Sequence, residues 1–281
     1  MQNSPVLIVG KHAKTGQRVE RRLQALGYAT RGVSRSTSPA FDWQDPSTWR
    51  AALQGIESAY VTFYPDLAIP SAEQTIREFT ALAREVGLRH MVLLSGRGEQ
   101  GAERAEAVLE ASGLYWNVVR ASWFMQNFSE SFMLEGVLEG ELVLPADDTV
   151  EPFIDIDDIA EVAVAALTRP ELRNRLFEVT GPRALSFAQC AAEISRAVGY
   201  PVSFTPVPVD DYISAMRDQG APEEMTWLLR HLFTEVFDGR NSKPAQDVEE
   251  ALGRPATDFA DYVEKTLATG AWERSGLRQQ A

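Results

Sequence analysis

Short apolar segments alternate with amphipathic segments over the first 120 residues, and this alternation limits the possible folds more than any other feature. The first apolar segment, Val6 to Val9, has no polar position, which is typical of a strand buried on both faces of a parallel sheet. Glycines 27, 87 and 113 follow amphipathic segments, as a glycine commonly follows a helix. Strict alternation at this spacing predicts right-handed βαβ units.

The predicted elements define a fold class and two domains. We predict strands at 6–9, 28–33, 58–63, 90–94 and 116–120, with helices at 15–25, 48–53, 71–86 and 101–112. Beyond residue 122 we predict strands at 141–144, 152–156 and 176–180, an extended piece at 202–207, and helices at 157–167, 186–198, 209–219, 222–237 and 258–269. The expected fold is α/β, a doubly wound, Rossmann-like parallel sheet over residues 1–182 (core 5–135), with a smaller, mainly helical lobe over 183–281.

Composition excludes several classes of partner. The 281 residues carry a formal net charge of -13, which disfavours nucleic acid and anionic membranes as partners. The single cysteine, Cys190, allows no internal disulfide, and we expect it to be buried in a helix. No apolar run is long enough for a membrane helix, and no secretory signal is recognisable at the start. We expect a cytoplasmic monomer or homodimer that acts on a small molecule.

Ligands of such sheets bind at the carboxyl ends of the strands, and the first strand ends in a glycine-containing loop. The loop runs Gly10-Lys11-His12-Ala13-Lys14-Thr15-Gly16 and leads into a helix, the context of a dinucleotide fingerprint. Gly10 would allow the tight turn and Gly16 the close packing of helix on strand. Ala13 occupies the position at which glycine normally lets the backbone approach a pyrophosphate. A plain βα turn without a ligand is the alternative.

The loop after the second strand bears on the choice between NAD and NADP. No acidic residue that could bind a ribose 2′-hydroxyl occurs between Glu20 and Asp42. Instead Arg35 stands between Ser34 and Ser36, a combination suited to a 2′-phosphate. The expected cofactor is therefore NADP(H). The alternative is a solvated surface arginine.

Three further strand ends carry candidate ligand-binding residues. Asp42 and Trp43 would contact the adenine, or belong to a loop on the sheet edge. Phe63-Tyr64-Pro65 would surround the ribose and nicotinamide, or be core. Ser95 follows the fourth strand, where short-chain dehydrogenases use a serine to polarise a carbonyl.

The acid that normally accompanies such a serine is missing. None of the seven tyrosines has a lysine four residues later, so no Tyr-x-x-x-Lys pair exists. Ser95 and Tyr64 remain as candidate catalytic residues. We predict neither a metal site nor a hydrolase serine elbow, because the three histidines are scattered and no Gly-x-Ser-x-Gly occurs.

Large apolar residues follow the fifth strand and predict a pocket for a flat substrate. Packing between domains is the alternative for each of them. The candidate pocket residues are Arg97, Trp123, Phe124, Met125, Asn127 and Phe153.

Several of these segments resemble the NmrA-like branch of the atypical short-chain dehydrogenases/reductases, and within it the festuclavine/agroclavine dehydrogenases of ergot-alkaloid metabolism and their bacterial relatives. The matching segments are 9–16, 34–36, 41–43 with 45–49, 93–95, 110–113 with Trp116, Arg120 with 123–125 and 127–128, and 153–160. The chain departs from that pattern at Lys11, His12 and Ala13, where the family has small residues or glycine, and at Ala121, where it has proline.

The resemblance implies an NADP(H)-binding fold and, in many members, reduction of a C=C, imine, iminium or quinone without a strong protein acid. The residues that it would place at the cofactor are Gly10, Lys14, Thr15, Gly16, Ser34, Arg35 and Asp42. Those that it would place at the nicotinamide end are Phe63, Tyr64, Pro65 and Ser95. From their positions in the same loops, we also expect cofactor contacts from His12, Ala13, Ser36 and Trp43. We expect an NADPH-dependent reductase of a small, flat, unsaturated compound that belongs to secondary metabolism. A redox-sensing NADP-binding protein without turnover and a non-redox cyclase or isomerase using His12 are the alternatives.

Overall fold

Six parallel strands form the main sheet in the computed structural model, which describes residues 4–274. The strands of this range are β1 (Val6–Val9), β2 (Thr30–Val33), β3 (Ser58–Val61), β4 (His90–Gly96), β5 (Tyr115–Ala121), β6 (Glu141–Leu144), β7 (Arg175–Val179) and β8 (Ser203–Pro206). Their order in the main sheet is β2-β1-β3-β4-β5-β7. The order reverses beside β1, which leaves a crevice between the carboxyl ends of β1 and β3. The predicted Rossmann-like fold is confirmed.

Helices connect these strands and cover the sheet. They are α1 (Lys14–Ala25), α2 (Trp49–Leu53), α3 (Ala72–Glu85), α4 (Gln100–Glu110), α5 (Asn127–Glu130), α6 (Leu134–Glu139), α7 (Ile156–Thr168), α8 (Phe187–Val198), α9 (Val209–Asp218), α10 (Glu223–His231), α11 (Asp247–Leu252) and α12 (Phe259–Thr269). Short 3₁₀ helices lie at Pro46–Thr48 and Pro170–Leu172, and a π-helical turn at Leu232–Val236. None of the helices described between residues 4 and 274 is long and apolar enough to cross a membrane.

The described chain forms two compact units whose segments interleave. The first unit comprises residues 4–121, 156–179 and 246–255, and the second comprises 122–155, 180–245 and 256–274. This division differs from a single boundary at 182/183, because residues 122–155 belong to the second unit and α11, which lies beyond that boundary, packs against α7 and β7 of the first unit. Residues 275–281, part of the lobe predicted from sequence, lie outside the described residues.

Burial of the central strands on both faces holds the first unit together. All four residues of β1 and of β3 are buried. Beside the sheet, Phe41, Trp43, Trp49 and Phe79 form a cluster of edge-to-face aromatic contacts. Such a cluster stabilises the loop after β2 through both buried area and ring geometry.

The second unit is mainly helical around its own aromatic core. Phe187 lies at the centre of this core and contacts the rings of Phe153 and Phe237. Two short strands, β6 and β8, pair in parallel beside it. Ser186 begins α8 with a capping box, in which its hydroxyl accepts from the Gln189 N–H and the Gln189 side chain accepts from the Ser186 N–H.

Several predicted elements were wrong in type or extent. Residues 152–156 are not a strand: Ile154 makes a single bridge to Phe124, Pro152 has no N–H to donate, and α7 begins at Ile156. The helix predicted for 222–237 is α10 followed by the π-helical turn. Strand β2 starts at Thr30, two residues later than predicted.

Candidate functional site

The two glycines of the first loop are required by close packing. Gly10 has φ of +87°, a left-handed conformation that favours glycine, and a Cβ there would overlap the Thr62 hydroxyl. A Cβ on Gly16 would overlap the carbonyl oxygen of Gly10. Helix α1 is therefore pressed against the end of β1, as the sequence predicted for these two glycines.

The amino end of α1 lies in this loop without a side-chain cap. Ala13 is the N-cap residue, it offers no side-chain acceptor, and the first turn contains no acidic residue. The unbonded N–H groups and the helix dipole make such an end a site for anions. His12 is exposed, Lys14 is half-buried and Thr15 is buried. All lie at the crevice edge of the sheet, where the sequence placed a pyrophosphate.

Hydrogen bonds within the loop after β2 fix its conformation, and Arg35 is exposed on this loop. The hydroxyls of Ser34 and Ser36 lie 3.1 Å apart, and the Thr37 hydroxyl donates to the Ser34 carbonyl oxygen at 2.9 Å. Arg35 is exposed, and within residues 4–274 its guanidinium makes no hydrogen bond or ion pair. It lies 5.8 Å from the centre of the Tyr64 ring. Sequence reasoning missed Thr37, which organises this turn.

Asp42 and Trp43 both make hydrogen bonds that stabilise the loop after β2. The Asp42 Oδ1 atom accepts from the Gln44 N–H at 3.0 Å, and the carboxylate keeps further acceptor sites for a ligand. The Trp43 indole donates to the Thr62 carbonyl oxygen at 3.0 Å and its ring lies 4.7 Å from the Phe63 ring. Trp43 is therefore packed on the sheet edge yet only half-buried, and its contact with an adenine stays a prediction.

The two aromatic residues after β3 differ in side-chain exposure. Phe63 packs against Trp43, whereas the neighbouring Tyr64 is 65% exposed and is followed by a cis peptide bond to Pro65. Tyr64 is therefore the most exposed residue of this segment, and Phe63 and Pro65 are half-buried. Tyr64 and Arg35 together line one side of the crevice edge.

Ser95 does not present its hydroxyl hydrogen to the crevice. The hydroxyl donates to Oε1 of Glu106 at 2.5 Å, and the Arg120 guanidinium binds the same carboxylate through both of its oxygens. Arg120 also donates to Glu178 at 3.2 Å. A hydroxyl has one hydrogen, so in this structure Ser95 offers a ligand only an acceptor. The Ser95–Glu106–Arg120 network was not predicted from sequence.

A second buried carboxyl lies at the same strand end and was also missed. Glu99 immediately precedes α4, is only 3% exposed, and lies against the Cα of Gly96. Burial raises the pKa of Glu99 well above its ordinary value, and the negative charges of Asp66 and Glu106 raise it further. Burial and the two neighbouring negative charges therefore all favour the protonated form of Glu99.

The predicted substrate-pocket residues fall into different environments. Met125 and Phe153 are core residues of the second unit, Phe124 and Asn127 are half-buried, and Arg97 in the first unit lies 3.4 Å from Glu178. The burial of Met125 and Phe153 is therefore better explained by core packing than by a substrate pocket.

Trp123 has a different position, beside a cavity within the second unit. Its ring contacts Phe233 and Phe237, and its buried indole N–H has no hydrogen-bond partner among the described residues. The cavity has a volume of about 420 Å³. Its lining comprises Pro145, Ala146, Asp147, Pro206, Val207, Pro208, Phe233 and Phe237. No group of His, Cys, Asp and Glu side chains suited to a metal ion occurs within residues 4–274.

Comparison with known proteins places the chain in a family. The model of the NmrA-like family matches residues 103–266. The chain belongs to the NmrA-like family. The resemblance inferred from the sequence motifs is thereby confirmed.

Relatives and solved structures match over nearly the whole chain. NAD(P)H azoreductase of Xenophilus azovorans is 29% identical over 94% of this chain and 98% of its own length. Agroclavine dehydrogenase of Claviceps fusiformis is 27% identical over 92% and 96% of the two chains. The Citrobacter triphenylmethane reductase complexed with NADP(H) superimposes with a TM-score of 0.80 at 16% identity, covering 93% of this chain and 99% of that one. The NmrA-like fold therefore extends through both units.

Proposed function

We propose that this NmrA-like protein is an NADPH-dependent reductase of a small, flat, unsaturated compound. The observation that carries the proposal is the guanidinium of Arg35, which is exposed in the loop that also holds Ser34 and Ser36 and makes no hydrogen bond or ion pair within residues 4–274. A planar cation with paired donors is suited to a 2′-phosphate and has no equivalent use toward a 2′-hydroxyl.

The crevice fits the rest of such a cofactor. Gly10 and Gly16 let the loop and α1 pack tightly at the end of β1, and the uncapped end of α1 offers N–H donors to a pyrophosphate. Tyr64 and Pro65 lie at the next strand end, where the nicotinamide would reach. The names of relatives support the same reading, since they include an NAD(P)H azoreductase and a clavine dehydrogenase.

The bound cofactor would supply a hydride, and the protein would supply position and charge. Arg35 and the amino end of α1 would fix the two phosphate groups, which orients the nicotinamide by proximity rather than by acid–base chemistry. The Tyr-x-x-x-Lys acid is absent from the sequence. Double bonds that accept hydride readily, such as quinones, azo groups, enones and iminium ions, are the substrates that such a site suits.

The aromatic cavity of the second unit supports a flat substrate. Phe233 and Phe237 line it, and the Trp123 ring contacts both; a substrate that reached the unpaired indole N–H of Trp123 would find a donor there. Small-molecule sites commonly combine apolar walls with a few placed polar groups.

The test combines binding with turnover. NADPH and NADH are titrated against the protein by tryptophan fluorescence, and NADPH oxidation is then followed with a quinone, an azo dye, an enone and a cyclic iminium. We expect tighter binding of NADPH and turnover of at least one compound. Binding without turnover of any compound would favour the redox-sensor alternative, and absence of binding would overturn the proposal.

A further inference from the structure

The Glu99 carboxyl lies at the carboxyl end of β4, and the residue is only 3% exposed. It is folded back on Gly96, the last residue of the strand, so closely that a Cβ there would overlap it. No hydrogen bond to the Glu99 carboxyl is found among residues 4–274, and the side chain does not cap α4. A buried carboxylate without donors is costly, so a protonated acid is the form that suits this position.

The charged groups around Glu99 act in the same direction. Asp66 and Glu106 are both acidic, and Arg120 is committed to Glu106 and Glu178. No cation pairs with Glu99 among residues 4–274, and repulsion from the two acids adds to the effect of burial on its pKa. A carboxyl that keeps its proton at neutral pH can act as a general acid.

The position of Glu99 is on the functional edge of the sheet. Strand β4 is the neighbour of β3, and β3 leads into Tyr64 and Pro65. Ligands of doubly wound sheets bind outside these carboxyl ends. Glu99 therefore lies on the edge where, under the proposed function, the reacting end of the cofactor and the substrate would be.

We propose that Glu99 is the proton donor of this site, a role that rests on the proposed reductase function. One atom of the substrate double bond receives hydride from the reduced nicotinamide, and the electron pair of the broken π bond moves to the other atom. The O–H bond of Glu99 breaks and its proton goes to that second atom. The Glu99 carboxylate then takes a proton from water, so that two hydrogens are added and the acid is restored.

This role separates substrates by their need for a proton. A quinone or an azo compound needs a proton at the atom that receives the electron pair. A cyclic iminium ion becomes a neutral amine on hydride addition alone. The Glu99 donor therefore matters for the first group and not for the second.

The experiment uses Glu99→Gln, with Glu110→Gln at the exposed carboxyl end of α4 as the matched control. Infrared difference spectra of the proteins without cofactor are expected to show a protonated-carboxyl band at neutral pH that disappears only in E99Q. With NADPH, kcat for the quinone and the azo dye is expected to fall roughly a hundredfold or more in E99Q, as for loss of a general acid. Turnover of the iminium is expected to stay within about threefold, and E110Q to match the parent.

The outcomes distinguish the two proposals. Absence of a Glu99 protonated-carboxyl band at neutral pH would overturn the donor role whatever the kinetics. Equal losses on quinone and iminium would also overturn it, because a merely structural role predicts that pattern. If the parent protein oxidises NADPH with no compound, the reductase function fails and the donor role fails with it, even where the infrared band is present.

Discussion

The guanidinium of Arg35 lies 5.8 Å from the centre of the Tyr64 ring, and the two side chains come from loops that follow different strands of the sheet. The ring restricts where the guanidinium can go without neutralising it. This arrangement keeps a positive charge at the crevice edge beside the hydroxyls of Ser34 and Ser36. The proposed preference for NADPH can therefore be tested by substituting Arg35 alone.

Arg35→Ala is expected to weaken NADPH binding and to leave NADH binding unchanged. A charge-assisted hydrogen bond contributes about 1.5–3 kcal/mol, so the Kd for NADPH should rise roughly 10- to 150-fold. Fluorescence titration with both nucleotides measures the effect. Arg50→Ala is the control, since Arg50 is exposed and paired with Glu85. Equal weakening for the two nucleotides would contradict a 2′-phosphate contact.

Ala13→Gly is expected to tighten dinucleotide binding. The Ala13 methyl lies 3.5 Å from the position that a Cβ on Gly10 would occupy, so it covers the floor on which a pyrophosphate would rest. Glycine is at least as good as alanine as an N-cap residue, so stability should change by less than about 1 kcal/mol. Isothermal titration with NADPH, with thermal unfolding as the check on stability, measures both quantities. Unchanged affinity would mean that the methyl does not meet the ligand.

The fold was predictable because its cause is local. Uniformly apolar strands such as β1, amphipathic helices and closing glycines all repeat within short segments, and together they indicate parallel βαβ units. The steric roles of Gly10 and Gly16 were predictable for the same reason, because they follow from their places in a strand–loop–helix segment. The exposed position of Arg35 after β2 was predictable from strand order alone.

The remaining features depend on residues that are distant in sequence. Nothing near Ser95 indicates that its hydroxyl would donate to Glu106 on α4, with Arg120 from β5 on the same carboxylate. An acid just before a helix is normally explained by the helix dipole, so Glu99 gave no reason to expect a buried carboxyl. Residues 152–156 have strand-like composition, but Pro152 limits pairing and helix α7 takes over at Ile156.

Ser95→Ala is expected to affect stability more than catalysis. The change removes one hydrogen bond to the Glu106 carboxylate and should lower the free energy of unfolding by about 1–2 kcal/mol. Because Arg120 still binds Glu106, the network should persist. Urea unfolding and the kcat for the best substrate are compared in the parent and the variant. A kcat reduced a hundredfold or more at unchanged KM would restore Ser95 as a catalytic residue.

Trp123→Phe is expected to show whether the indole N–H of Trp123 binds a substrate or whether the ring only packs in the second unit. The smaller ring can still contact Phe233 and Phe237, and the variant loses a buried N–H that has no partner among the described residues. Leaving a donor unpaired costs about 1–3 kcal/mol, which offsets the packing that is lost, so stability should change little. KM for a substrate with a hydrogen-bond acceptor should rise, whereas an analogue without one should be unaffected. Equal effects on both would leave Trp123 as a packing residue.

The raised pKa of Glu99 predicts that the stability of the protein depends on pH even without cofactor or substrate. Burial, Asp66 and Glu106 hold its pKa well above the ordinary value of 4.5. Above that ordinary value the unfolded chain gives up the Glu99 proton and the folded protein keeps it, so the folded state binds more protons. Stability should therefore fall as pH rises, by up to about 1.4 kcal/mol per pH unit, until the pH reaches the folded-state pKa.

Glu99→Gln isolates this contribution, because a glutamine does not titrate and the other groups of the protein are unchanged. Urea unfolding of the parent and of E99Q between about pH 5 and pH 8 gives the difference in the free energy of unfolding at each pH. That difference should move steadily in favour of E99Q as pH rises, and Glu110→Gln should run parallel to the parent. Parallel curves for the parent and E99Q would mean that Glu99 is ionised in the folded protein, because only a group with equal proton occupancy in the two states leaves no slope.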